Sequence, residues 1–100
     1  MKVKYSKEFI KSTKKLSGKV LNSVADALEK VKKAKTIDEI TDCKKLSGYR
    51  FMYRLRVGNL RVFFIFHIDI ENDCVGFEYL LNRGEAYKKE TEDKLRKKDN

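Results

Sequence analysis

Three arginines, Arg54, Arg56 and Arg61, flank the Gly58-Asn59 pair inside the run YRFMYRLRVGNLRVFFIF. That run alternates with period two around a two-residue turn signal, the pattern of a β-hairpin. Counting outward from the turn pairs Val57 with Leu60, Arg56 with Arg61, Leu55 with Val62 and Arg54 with Phe63. One face then carries Phe51, Tyr53, Leu55, Val57, Leu60, Val62, Phe64 and Phe66 as a core face; the other carries Arg50, Met52, Arg54, Arg56 and Arg61. Two guanidiniums directly opposed across a strand pair repel each other, and an anion held between them removes that cost. The window from Asp42 to Asp69 contains no other acidic residue, yet it adds Lys44, Lys45 and Arg50 to the three arginines. The chemistry this spacing offers is the grip of a phosphate, because a planar guanidinium binds two phosphate oxygens at once and keeps its charge. RNA is the first expectation for its source.

The bulk of the chain agrees with a polyanionic partner. Its 100 residues predict one domain over 1–100, long enough to bury a core without disulfides. A net charge of +9 favours nucleic acid over an acidic protein, and either over anionic lipid. Cys43 and Cys74 lack C-x-x-C spacing and the chain has one histidine, which excludes a zinc site and predicts free thiols in a reducing compartment. No metal and no other cofactor is expected. The start MKVKYSKEFI lacks the apolar run of a signal peptide, and no stretch approaches the roughly 20 apolar residues of a membrane span. A cytoplasmic protein with no membrane partner is the expectation.

The elements that must position the arginines follow from periodicity. Val3 to Tyr5 predicts a short strand, and Ser6 an N-cap, with Tyr5 and Ile10 at the spacing of a hydrophobic staple. Phe9, Ile10 and Leu16 give the first helix an apolar side, and Ser17-Gly18 ends it. A second helix from about 19 to 35 carries Val20, Leu21, Val24, Ala27, Leu28 and Val31 at helical spacing. Thr36 and Glu39 have the spacing of a capping box around a short helical turn. Strands are predicted at about 49–57 and 60–68, a polar connection over 68–73, and a further strand over 74–81. Asn82 with Glu85 caps a final helix in which only Leu95 is a sizeable apolar residue after Lys88, so that helix is expected to bury little and to fray unless a partner covers it. The order β-α-α-β-β-β-α predicts an α+β fold: an N-terminal helical hairpin packed on an antiparallel sheet, followed by a C-terminal helix, with the helices on one face.

The segment KKLSGYRFMYRLRVGNLRVFF resembles the RelE/ParE superfamily of toxins from type II toxin–antitoxin systems. Members commonly read K-x-L-x-G, a Y-R-(I/L)-R strand, a short turn and an R-(V/L)-x-(F/Y) strand. Here these are Lys44 or Lys45 with Leu46 and Gly48, then Tyr53-Arg54-Leu55-Arg56, Gly58-Asn59, and Arg61-Val62-Phe63-Phe64. The stretch Arg83-Gly84-Glu85-Ala86-Tyr87 is similar to the family's R-x-x-x-Y ending. The resemblance covers nearly the whole chain and implies one of two activities. RelE-like members cut messenger RNA in the ribosomal A site; ParE-like members inhibit DNA gyrase without being enzymes. In the RelE-like branch the resemblance implies an active site of Arg54, Arg56, Arg61, Arg83 and Tyr87. It also implies a cognate antitoxin as partner, together with the ribosome and its mRNA.

Cleavage of RNA without a metal needs preorganised positive charge around a dianionic five-coordinate phosphorus. Arginine cannot normally surrender a proton, so Tyr87 is the candidate general base, its phenolate favoured by nearby guanidiniums; stacking on a splayed base is its other use. Lys44 and Lys45 read as general electrostatic contacts with RNA. Arg50 fits an RNA contact and a solvated guard of a sheet edge equally well. His67 lies six residues beyond Arg61, roughly 20 Å along a strand, and reads as a structural strand-end residue. Phe63, on the arginine face, is placed where it could touch a base.

Overall fold

The computed structural model describes residues 1–67 and 73–99. Its elements in chain order are β1 (Lys2–Tyr5), α1 (Lys7–Lys14), α2 (Gly18–Lys33), a single 3-10 turn (Ile37–Glu39), β2 (Cys43–Lys45), β3 (Met52–Val57), β4 (Leu60–His67), β5 (Cys74–Asn82), α3 (Arg83–Ala86) and α4 (Lys89–Asp99). The strands form one sheet in the order β1-β5-β4-β3-β2. All pairings are antiparallel except β1 with β5. Among the described residues no helix is long and apolar enough to cross a membrane.

The hairpin forms in the register that the turn dictates: Val57 opposes Leu60, Arg56 opposes Arg61, Leu55 opposes Val62 and Arg54 opposes Phe63. Gly58 adopts φ +57° at the first central position of the turn, where a type II′ hairpin turn calls for glycine. Chain start and sheet are joined at Ser6. Its Oγ accepts the Phe9 N–H at 3.0 Å, capping α1, and donates to the Glu78 carbonyl at 2.6 Å. Tyr5 stacks on Phe77 and meets Phe9. Phe9, Val24 and Val31 from the two helices bury against Leu55, Val62, Phe64, Phe66, Val75, Phe77 and Leu80.

The other face is covered as well, which corrects the expectation of helices on one side only. Met52, Phe63 and Ile65 share the face of the arginines and are buried beneath Ala86 and Leu95. Phe63 and Phe64 are both buried, on opposite faces as successive strand residues must be, and a bulge at Glu78 of β5 lets Tyr79 oppose Phe63 while Phe77 opposes Phe64. Met52 belongs to this second core rather than to a solvated arginine row. The expectation of a frayed final helix fails for the same reason: Leu95 has an apolar floor beneath it. Asp99 adds a clasp, its carboxylate accepting the backbone N–H groups of Arg50 and Phe51 at 2.7 Å each. Arg96 lies over the Tyr49 ring, 4.5 Å from its centroid, and donates to the Gly48 carbonyl.

Smaller differences have local causes. β3 starts at Met52 instead of 49, because residues 46–51 form a loop in which Gly48 takes φ +82°. β2 has only three residues and no alternation to betray it. The turn at Ile37–Glu39 forms without the capping box: Glu39 reaches the Lys35 N–H, and the Thr36 side chain makes no cap bond. Asn82 does cap α3, accepting the Glu85 N–H at 2.8 Å. The polar connection expected over 68–73 lies, apart from Asp73, outside the described residues.

Candidate functional site

β2, β3 and β4 bring four basic side chains to one face at the hairpin end of the sheet. Opposed residues of an antiparallel pair share a face. Lys44 opposes Arg54, and Arg56 opposes Arg61, so all four point to the side that carries α3 and α4. Toward the far end of this face Met52, Phe63 and Ile65 form the apolar floor under α4. The basic patch is therefore the uncovered remainder of a face whose other half is core.

The four cations differ in environment. Arg61 is only 6% exposed. One of its terminal nitrogens donates to the Gly58 and Leu60 carbonyls at 2.9 Å each, so the residue also braces the turn. Arg54 donates to the Tyr87 hydroxyl at 3.1 Å. The Nε atoms of Arg54 and Arg61 are buried without a hydrogen-bond partner among the described residues. Arg56 leans outward and pairs with Asp42 at 3.7 Å, while its backbone N–H bonds the Asp42 carbonyl. This corrects the inference that the opposed pair demands an external anion: the chain supplies one itself, for Arg56. Both partners are more than half exposed, and such pairs contribute about 0–1 kcal/mol, so Arg56 can exchange Asp42 for a phosphate at little cost.

Tyr87 follows α3 and hangs over this patch, 60% exposed. Partial burial of its hydroxyl pushes its pKa up, but the neighbouring guanidiniums of Arg61 and Arg54, the latter hydrogen-bonded to it, outweigh that and leave the phenol below its ordinary range. The helix that carries it is fixed to the hairpin: the Arg83 N–H donates to the Asn59 carbonyl at 2.8 Å, which sets exposed Arg83 beside the turn.

Arg54, Arg56, Arg61, Tyr87 and Lys44 thus converge, with Arg83 at the margin. Two expected contacts do not join them. Lys45 opposes Tyr53 and points to the other face. Arg50 precedes β3 and sits beside the end of α4, where Asp99 holds its backbone, beyond the Met52–Leu95 layer. His67 is exposed at the end of β4 with its ring against Phe51, as its position along the strand implied. Phe63 is buried in the second core, so its ring is no open stacking platform on the arginine face and reaches the surface only as part of the floor of a groove beside Tyr87. Both cysteines are free, and burial pushes the Cys43 thiol up to about 11 despite Arg54 nearby, which makes it unreactive. Among the described residues no three His, Cys, Asp or Glu side chains cluster as ligands would. Sequence reasoning missed Asp42 as the counter-ion of Arg56, although its place at the border of the acid-free window was the signal.

A scan against models of known protein families finds none that matches. The toxin RelE3 of Methanocaldococcus jannaschii is 31% identical over 88 residues, covering 87% of this chain and 96% of that protein. A RelB–RelE antitoxin–toxin complex from Methanococcus jannaschii contains a chain that superposes with a TM-score of 0.67 at 25% identity, covering 84% of this chain and 94% of that one. For a RelE–RelB complex of Pyrococcus horikoshii the TM-score is 0.65 at 23% identity, with 85% and 97% covered. Fold and sequence together define the class, a toxin of the RelE/ParE superfamily. Within that class the chain belongs to the RelE toxin family.

Proposed function

We propose that this toxin is a ribosome-dependent mRNA endonuclease, in which a ribose 2′-OH attacks the adjacent 3′-phosphate. The observation that carries the reading is the Tyr87 hydroxyl held by Arg54 at 3.1 Å and drawn toward ionisation by Arg61 as well. In this scheme the Tyr87 phenolate takes the 2′-OH proton and the O2′–P bond forms. The P–O5′ bond then breaks, and the leaving 5′-oxygen takes a proton from water. Arg54 and Arg61 face the phosphorus and stabilise its developing charge, the largest catalytic contribution open to such a site. Arg56 gives up Asp42 for a phosphate oxygen, while Lys44 and Arg83 hold neighbouring phosphates. Lys45 and Arg50 add only general attraction for RNA. A single tyrosine base acts slowly on free RNA, and the ribosome supplies the missing orientation, which places the protein's work in the cytoplasm.

Products report on this chemistry. Programmed ribosomes incubated with the toxin should yield A-site fragments ending in a 2′,3′-cyclic phosphate, with 5′-hydroxyl partners. Fragments ending in a 3′-hydroxyl would contradict 2′-OH attack. The structures of related toxins with RelB support a cognate antitoxin as the physiological partner. With +9 to neutralise, its segment over the Lys44–Arg56 face is expected to be acidic. Co-expression of a cognate antitoxin should restore growth arrested by the toxin.

A further inference from the structure

Beside Tyr87, between the β2–β3 loop and α4, lies a groove of about 240 Å³. We propose that this groove is a nucleobase subsite, seating a base of the RNA strand whose phosphate lies on Arg54 and Arg61; the proposal rests on the reading of the arginine face as an RNA site. Tyr87 lines the groove and also bonds Arg54, so the two sites share a wall. A phosphate on the arginines brings its own nucleoside to the groove mouth.

The lining suits a flat heterocycle with a polar edge. Phe63, Ala86 and Leu95 form a buried apolar floor. Tyr49 makes a side wall, with the Arg96 guanidinium over its ring at 4.5 Å, a stack of the kind that bases join. Glu92 at the rim is held only by its exposed pair with Arg96 at 3.2 Å, so its carboxylate can accept an N–H from a base edge. The groove opens next to a surface of net positive charge, which favours an anionic strand over an uncharged small molecule. Nothing in the phosphate chemistry itself uses Leu46, Ser47, Tyr49 or Arg96, yet they border the same opening.

Backbone amide NMR of the intact protein, titrated with inorganic phosphate and with AMP, GMP, CMP and UMP, tests the proposal. Phosphate should shift signals around Arg54, Arg61 and Tyr87 alone; nucleotides should also shift Ser47, Tyr49 and Lys88. Ser47→Trp, a change at an exposed loop position that fills the groove, should remove the second set and weaken nucleotide binding by about tenfold, the scale of one lost base stack. It should keep the phosphate shifts and the melting temperature. Nucleotide shifts identical to those of phosphate, with Ser47→Trp binding nucleotides like wild type, would overturn the subsite and leave the arginine site standing. Groove shifts with no response at the arginines would do the reverse, keeping a base site and removing the reading of the arginine face.

Discussion

At the scale of residues, the opposed arginines of one hairpin have been given different work. Arg61 is buried and braces the turn, whereas Arg56 is exposed and pairs loosely with Asp42. Their replacements should therefore separate. Arg61→Ala should lower cleavage on the ribosome by about 10²–10³-fold, the usual loss of one preorganised charge donor, and should also destabilise by roughly 1.5–3 kcal/mol through its lost carbonyl bonds. Arg56→Ala should leave the unfolding midpoint nearly unchanged, because an exposed pair adds about 0–1 kcal/mol. Denaturant titration beside single-turnover kinetics checks both. With Tyr87 as the proposed base, its titration is expected to set the pH dependence. Its pKa is lowered in the folded protein, so more phenolate is present at any given pH than in a free tyrosine, and a base acts when deprotonated. Cleavage should rise with pH and level off below the ordinary tyrosine value of about 10. Tyr87→Phe should abolish that limb while leaving stability intact, and Arg54→Ala should move it to higher pH. The arginine register could be read from Gly58-Asn59 outward by counting alone. The Asp42 pair could not be counted in that way, since it depends on β2 and the left-handed φ +57° of Asp42 that leads into it; only the place of Asp42 at the edge of the acid-free window hinted at it.

At the scale of elements, α4 is where the sequence reading fell short. Between Lys89 and Asp99 only Leu95 is large and apolar, and periodicity alone assigns such a helix little to bury. What holds it is a floor made by other elements: Met52, Phe63 and Ile65 on strands, and Ala86 on α3. Phe63 and Ile65 fall on the arginine face by parity, and the continuous apolar run of β4 was the overlooked sign of a strand covered on both sides. Asp99 is likewise invisible to patterning, because its value comes from two N–H groups about fifty residues earlier. Leu95→Ala should cost about 2–5 kcal/mol. Asp99→Ala should cost roughly 1.5–3 kcal/mol or more, since two backbone donors lose a charged acceptor. Hydrogen exchange at Arg50 and Phe51 should accelerate in the Asp99 variant; unchanged protection there would show that α4 is held without the clasp.

At the scale of the whole molecule, the proposed function implies that a charge of +9 attracts RNA generally, while the sheet decides where the attraction becomes specific. Affinity for single-stranded RNA should fall with salt, each neutralised phosphate contributing about 0.7 to the log–log slope. Arg56→Ala or Lys44→Ala should reduce that slope by about 0.7, and Lys45→Ala by less because it faces away. The α+β class and the toxin family are legible in the sequence. Both rest on contiguous motifs, whereas the two-sided core rests on contacts between distant segments. Ribosomes programmed with a defined mRNA and incubated with the folded wild-type toxin give the most direct test. Scission within the A-site codon, lost in Tyr87→Phe at equal stability, is the result the Arg54–Tyr87–Arg61 cluster predicts. Intact mRNA under those conditions, with DNA supercoiling by gyrase blocked instead, would contradict it.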